Sequence, residues 1–114
     1  MPSRLAVVAI DAVQPRRVAD FWCAVLGWQV VEEDDGVVSI AAPDGGWPAI
    51  DVLTVDEPKT VKNRIHWDVV LEPAATVDDL VAKGATVLAA ATDDEQWTVM
   101  ADPEGNEFCV FASR

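Results

Sequence analysis

The order of predicted elements in the first half of the chain recurs in the second, and this constrains the fold more than any other feature. Residues 5–12 form an almost continuous apolar run, read as a buried strand. Pro15 then opens a helix at the tolerated first position. Val18, Phe21, Trp22, Val25 and Leu26 follow the spacing of one helical face, and Gly27 closes it. Strands are predicted over 28–32, 37–42 and 50–55, the first two joined by the acidic turn Glu33-Asp34-Asp35-Gly36. After a polar linker, 56–63, the order returns. A strand is predicted over 64–71. Thr76 is read as a helix N-cap with Asp78 and Asp79 in the first turn, and Gly84 ends that helix. Strands over 86–90, 97–101 and 107–111 follow. Local turns echo too: Leu26-Gly27 against Lys83-Gly84, and Ala42-Pro43-Asp44-Gly45 against Ala101-Asp102-Pro103-Glu104-Gly105.

Each half therefore reads βαβββ, an internal duplication. One helix and four strands are too few to bury both faces of a sheet, so two curled halves side by side would enclose a cleft, the usual place for a ligand. The expected fold is α+β: two βαβββ modules, 4–55 and 64–112, forming a curved eight-stranded sheet with a central cleft in a single domain spanning 1–114.

Composition removes several function classes. A net charge of −12 argues against nucleic acid or an anionic membrane as partner, since both need a basic surface. Apolar residues make up 51% of the chain, which excludes disorder, yet no run reaches the length of a membrane span. No signal sequence is read at the N-terminus, and the expected location is the cytoplasm. Cys23 and Cys109 lack metal-ligand spacing and read as small buried hydrophobes; a disulfide between them is left open.

Chemistry concentrates in two segments. In the tail, a type I turn at Asp102-Pro103-Glu104-Gly105 leads into a strand where Glu107 shares a face with Cys109 and Phe111. A carboxylate among such neighbours must be solvated, paired or bound to a cation. The one histidine, His66, lies in the strand-like run 64–71 with Asp68 two residues on. That pair reads either as a hydrogen-bonded structural pair or as an acid–base dyad. Glu107 reads either as a partner of Arg64 or as a residue orienting a ligand, and Asp51 either as a site residue or as cover for a strand edge. Of the five tryptophans, Trp22 belongs to the helix core and Trp67 to the face opposite His66, with Ile65 and Val69. Trp97 is a candidate for lining the cavity, and Trp47, in a Gly-Gly-Trp-Pro loop, for the cleft rim or a dimer contact.

The paired βαβββ order, Phe21-Trp22 with Leu26-Gly27-Trp28, Asn63-Arg64-Ile65-His66-Trp67-Asp68, Gly84-Ala85-Thr86-Val87 and Asp102-Pro103-Glu104-Gly105-Asn106-Glu107-Phe108 together resemble the glyoxalase / bleomycin-resistance / extradiol dioxygenase (vicinal oxygen chelate) superfamily, and in particular its short glyoxalase-like domain proteins. The resemblance implies a divalent metal (Zn, Ni, Mn or Fe) held by the first and last strand of each module. By position, it implies His66, Glu107 and Asp51 as ligands, with His66 and Glu107 catalytic. Val7 stands at the position matching His66 and carries no donor. With one histidine, the two-histidine arrangement for Fe(II) and O₂ is not available within one chain. The expectation is thus a small-molecule binding protein of resistance or sequestration type, without a required metal and with Asp68, Asp51, Trp97 and Trp47 contacting the ligand. The alternative is a metal-dependent lyase or isomerase acting on a vicinal-oxygen substrate. Open sheet edges suggest a homodimer.

Overall fold

The computed structural model describes residues 2–46 and 48–113, and they divide into two units, one ending at Pro58 and the other beginning at Lys59. Trp47 lies outside the described residues.

The first unit runs β1 (Val7–Ala12), α1 (Pro15–Leu26), β2 (Gln29–Asp34), β3 (Val37–Ala41) and β4 (Ala49–Thr54). Its strands form one sheet in the order β1-β4-β3-β2, with β1 parallel to β4 and the other pairs antiparallel. The helix buries Val18, Phe21 and Trp22 of the face expected from spacing, together with Ala19, while Val25 and Leu26 at its end are half-buried. The buried residues form the core together with Val38, Ile40, Ile50 and Val52 from β3 and β4. Phe21 and Trp22 meet edge to face at 5.0 Å, a favoured aromatic geometry. Gly27 ends α1 in the left-handed region at φ 69°, which only glycine adopts without penalty. In the β2–β3 hairpin, Asp35 and Gly36 both have positive φ, 43° and 83°, as a two-residue type I′ turn requires. Thr54 fastens that turn, its hydroxyl donating to the Gly36 carbonyl at 2.7 Å.

The second unit repeats the pattern: β5 (Asp68–Val70), α2 (Val77–Lys83), β6 (Thr86–Ala89), β7 (Trp97–Ala101) and β8 (Glu107–Phe111). Its sheet order is β5-β8-β7-β6, again with one parallel pair, β5 with β8. One face of the sheet buries Val69, Thr98, Met100, Phe108 and Val110, and α2 contributes Leu80. Thr76 and Asp79 form a reciprocal capping box at the start of α2, satisfying two backbone N–H groups at once. The eight strands thus lie in two four-stranded sheets, two βαβββ modules of an α+β fold.

The repeat extends to register. Ser39, third in β3, pairs with Asp51, and Val99, third in β7, pairs with Cys109. On the parallel side, Ala9 faces Asp51 and Asp68 faces Cys109. Even the bulges match, at Val31 between Val30 and Glu32 and at Leu88 between Val87 and Ala89. Asp51 therefore stands where Cys109 does. The first-unit position matching Glu107, two residues earlier on the strand, is Ala49.

One element is much shorter than its sequence pattern. The strand expected over 64–71 is reduced to Asp68–Val70, so His66 precedes the strand and Ile65 is 82% exposed. The reason lies in β8. The Cys109 N–H donates to the Trp67 carbonyl at 3.1 Å, but the preceding stretch is drawn toward Glu107 by its side chain, which accepts from the Asn63 N–H. Alternation of apolar residues alone does not make a strand where the pairing edge is taken by a side chain.

Candidate functional site on the second sheet

Alternate residues of β7 and β8 turn one face of the second sheet toward a cavity of about 390 Å³. Trp97, Val99 and Phe111 give it an apolar wall, with the Trp97 and Phe111 rings 5.9 Å apart and tilted by 36°. Lys62, His66, Asp68, Cys109 and Glu107 supply the polar side. Strand periodicity explains the grouping: Glu107, Cys109 and Phe111 share a face, and Asp68 joins them as the register partner of Cys109.

Glu107 is already engaged. Its Oε2 accepts from Lys59 Nζ at 2.9 Å and its Oε1 from the Asn63 N–H at 3.1 Å. The pair is largely shielded, at 19% and 13% side-chain exposure, so solvent screens it less than a surface ion pair. The Lys59 hydrogen bond chiefly holds the Glu107 carboxyl down to about 2; burial opposes it, and the Asn63 backbone bond adds to it. The chain of bonds continues into the tail turn. Asn63 Nδ2 donates to Asn106 Oδ1 at 2.8 Å, and Asn106 Nδ2 donates to the buried Asp102 at 2.9 Å. Asp102 also accepts from the Glu104 and Asn106 N–H groups, and its carbonyl accepts from the Gly105 N–H, closing the expected turn. Glu107 is thus paired with Lys59, not with Arg64. In sequence, 56–63 reads as a polar linker with no assigned partner for its lysines. The signal that marks it is the presence of Lys59 and Lys62 together in a chain with only 8 cationic residues against 20 acids.

His66 and Asp68 do face each other, but Nδ1 and Oδ1 are 3.9 Å apart, too far for the hydrogen bond expected between them. Both are solvent-accessible, at 40% and 55%. With Cys109 they bring one donor atom each within 4.8 Å of one another, a grouping that sequence spacing did not reveal. Burial pushes the Cys109 thiol up, Asp68 adding to the effect and Lys62 opposing it. Cys23 and Cys109 are both free, so there is no disulfide between them.

Asp51 belongs to the first unit and accepts a 2.7 Å hydrogen bond from Ser39. The metal set implied by the resemblance is only partly available here: both Glu107 oxygens already accept hydrogen bonds, one Asp51 oxygen accepts from Ser39, and the register counterparts of His66 and Glu107 in the first sheet are Val7 and Ala49, neither of which has a donor side chain.

Among the described residues no helix is long and apolar enough to cross a membrane. In sequence, residues 7–111 match the family described as glyoxalase-like domain. No curated protein matches the chain. Its fold is similar to that of a glyoxalase/bleomycin resistance protein/dioxygenase family enzyme from Burkholderia phytofirmans PsJN, with a TM-score of 0.73 at 20% identity, covering 98% of this chain and 100% of the other. A glyoxalase-related enzyme from Fulvimarina pelagi gives 0.69 at 17% identity, covering 96% and 88%. The trypanothione-dependent glyoxalase I of Leishmania major gives 0.68 at 15% identity, covering 96% and 86%.

Proposed function

The chain belongs to the glyoxalase-like domain family of the vicinal oxygen chelate superfamily, and from that footing we propose that it is a small-molecule binding protein of sequestering type, with the ligand held in the cavity of the second unit. The observation that carries this reading is the commitment of Glu107 to Lys59 and Asn63. A carboxylate held ionised by a lysine is architecture and not a base waiting for a substrate proton, whose useful pKa lies near the working pH. What remains open to a ligand is an aromatic wall, Trp97 and Phe111, beside a polar side with Lys62, His66 and Asp68. Such a cavity suits a planar apolar body carrying one or two polar substituents, the wall supplying affinity and the polar groups orientation.

A thermal-shift screen of aromatic and antibiotic-like compounds, run with chelator present, tests it. A compound that raises the melting temperature should lose most of that effect in Trp97→Ala. Stabilisation by no compound, or stabilisation indifferent to Trp97, would remove the reading.

The second reading, a metal-dependent lyase or isomerase using Asp51, His66 and Glu107, is weaker here because Glu107 is paired with Lys59 and Asn63 and Asp51 accepts from Ser39, which leaves His66 alone of the three without a hydrogen-bond partner among the described residues. A homodimer belongs to the proposal: β1 and β5 end their sheets without bulges and expose Val7 and Val70. Light scattering at a constant monomer mass across concentrations would count against it.

A further inference from the structure

We infer that His66, Asp68 and Cys109 form a binding site for a thiophilic divalent cation of the zinc type, on a donor set different from the one the family resemblance implies. Three features place these side chains together. Asp68 and Cys109 are direct register partners on the parallel strands β5 and β8, so they stand side by side on one face. The Cys109 N–H donates to the Trp67 carbonyl, which fixes the backbone immediately after His66. His66 itself lies outside the strand, and its exposed ring is able to adjust.

The donors lie within 4.8 Å of one another, and His66 Nδ1 is 3.9 Å from Asp68 Oδ1. A tetrahedral ion with bonds of about 2.0–2.3 Å needs donors roughly 3.3–3.8 Å apart, so closure takes shifts of about 1 Å or less in side chains with room to move. Imidazole, carboxylate and thiolate together favour a borderline-soft ion over magnesium or calcium, which take oxygen. Three protein donors leave a position for water or a ligand atom, and the cavity gives an entry path. Binding takes the thiol as thiolate, its proton passing to solvent.

The repeat supplies an internal comparison. The corresponding positions of the first sheet are Val7, Ala9 and Asp51, with a single donor among them. The cluster is therefore not a consequence of the fold alone; it depends on the residues that the second copy carries at these positions. Glu107 is held away by Lys59 and Asn63 and takes no part.

The inference does not rest on the ligand reading, since it concerns the ion alone. The experiment is a Co²⁺ titration of the chelator-stripped protein under a non-coordinating reductant, followed by absorbance. Equimolar binding should produce a near-ultraviolet thiolate-to-cobalt charge-transfer band, and Zn²⁺ should displace it. Cys109→Ser should abolish the band. His66→Gln, at an exposed position that leaves the fold intact by circular dichroism, should weaken binding by ~100-fold or more, because loss of even an outer-shell partner costs about 10–100-fold. Cys23→Ser and Asp51→Asn should keep both band and affinity. Absence of the band, its persistence in Cys109→Ser, or full affinity in His66→Gln would overturn the inference. The compound screen above contains chelator, so either result can fail without the other.

Discussion

Glu107 shows how far a single residue can be read before its neighbours are known. Its place among apolar strand residues requires a partner, and that much is visible in the sequence. Which partner is not, because Lys59 lies 48 residues away and reaches it only after the 59–67 segment folds along β8. The pair sets a pH dependence. The folded carboxyl sits near 2 against an ordinary 4.5, so the folded state binds fewer protons than the unfolded state between these values. The stabilisation is fully present above pH 4.5 and is lost as pH falls toward 2. Glu107→Gln should therefore lower unfolding stability at pH 7 by about 1–3 kcal/mol, the range for losing a hydrogen bond to a charged group or a shielded ion pair. Urea unfolding should show the gap between the two proteins closing between pH 4.5 and 2. A gap that stays constant over that window would mean that the pair is not what stabilises the tail. Asp51 carries the opposite lesson. Matching the two last strands through the Pro-Asp-Gly turn, with a longer first loop allowed for, equates it with Glu107, but strand register equates it with Cys109, because the first loop is longer by less than that match assumes. Turn chemistry fixes where a strand begins only when the loop length is shared.

At the scale of elements, legibility followed the strength of local chemistry. Helix α1 was readable because five apolar residues keep one face between a tolerated proline and a left-handed glycine. Strands β7 and β8 were readable to the residue, bounded by turns and alternating cleanly. Strand β5 was not. Ile65, Trp67, Val69 and Leu71 alternate as a strand should, but pairing with β8 begins only at Asp68. The site suffered the same limit: His66 and Asp68 stand out in sequence, but Cys109 reads as a small buried hydrophobe, and only register makes it the neighbour of Asp68. Helix α2 was legible through its cap more than its face, since only Leu80 of its seven residues is buried. A short helix with so little apolar anchoring depends on its ends. Thr76→Ala, which removes the hydroxyl accepting from the Asp79 N–H, should cost about 1 kcal/mol and raise amide exchange across 77–83 more than elsewhere. Equal exchange rates in the two proteins would show that packing and not the cap holds α2.

For the whole molecule, charge dominates. Twenty acids against 8 lysines and arginines leave −12 on 114 residues. Among the described residues the ion pairs are Arg16 with Asp20 and Glu33, Lys59 with Glu107, and the longer His66–Asp68 contact. Self-repulsion of the net negative charge destabilises the compact state and is screened by salt. The Debye length falls from about 30 Å at 0.01 M salt to about 8 Å at 0.15 M, so the melting temperature should rise by about 2–5 °C across that range. The rise should be the same for Na⁺ and K⁺, because screening does not recognise the ion. The same field gathers divalent cations around the surface, so a melting shift on adding a divalent metal reports charge before it reports a site. Mg²⁺ at equal ionic strength provides the baseline. Zn²⁺ stabilisation should exceed that of Mg²⁺, and the excess should vanish in Cys109→Ser while the Mg²⁺ effect stays. If Mg²⁺ and Zn²⁺ shift the wild-type protein equally, the whole cation response belongs to the acidic surface, and His66, Asp68 and Cys109 hold nothing of their own.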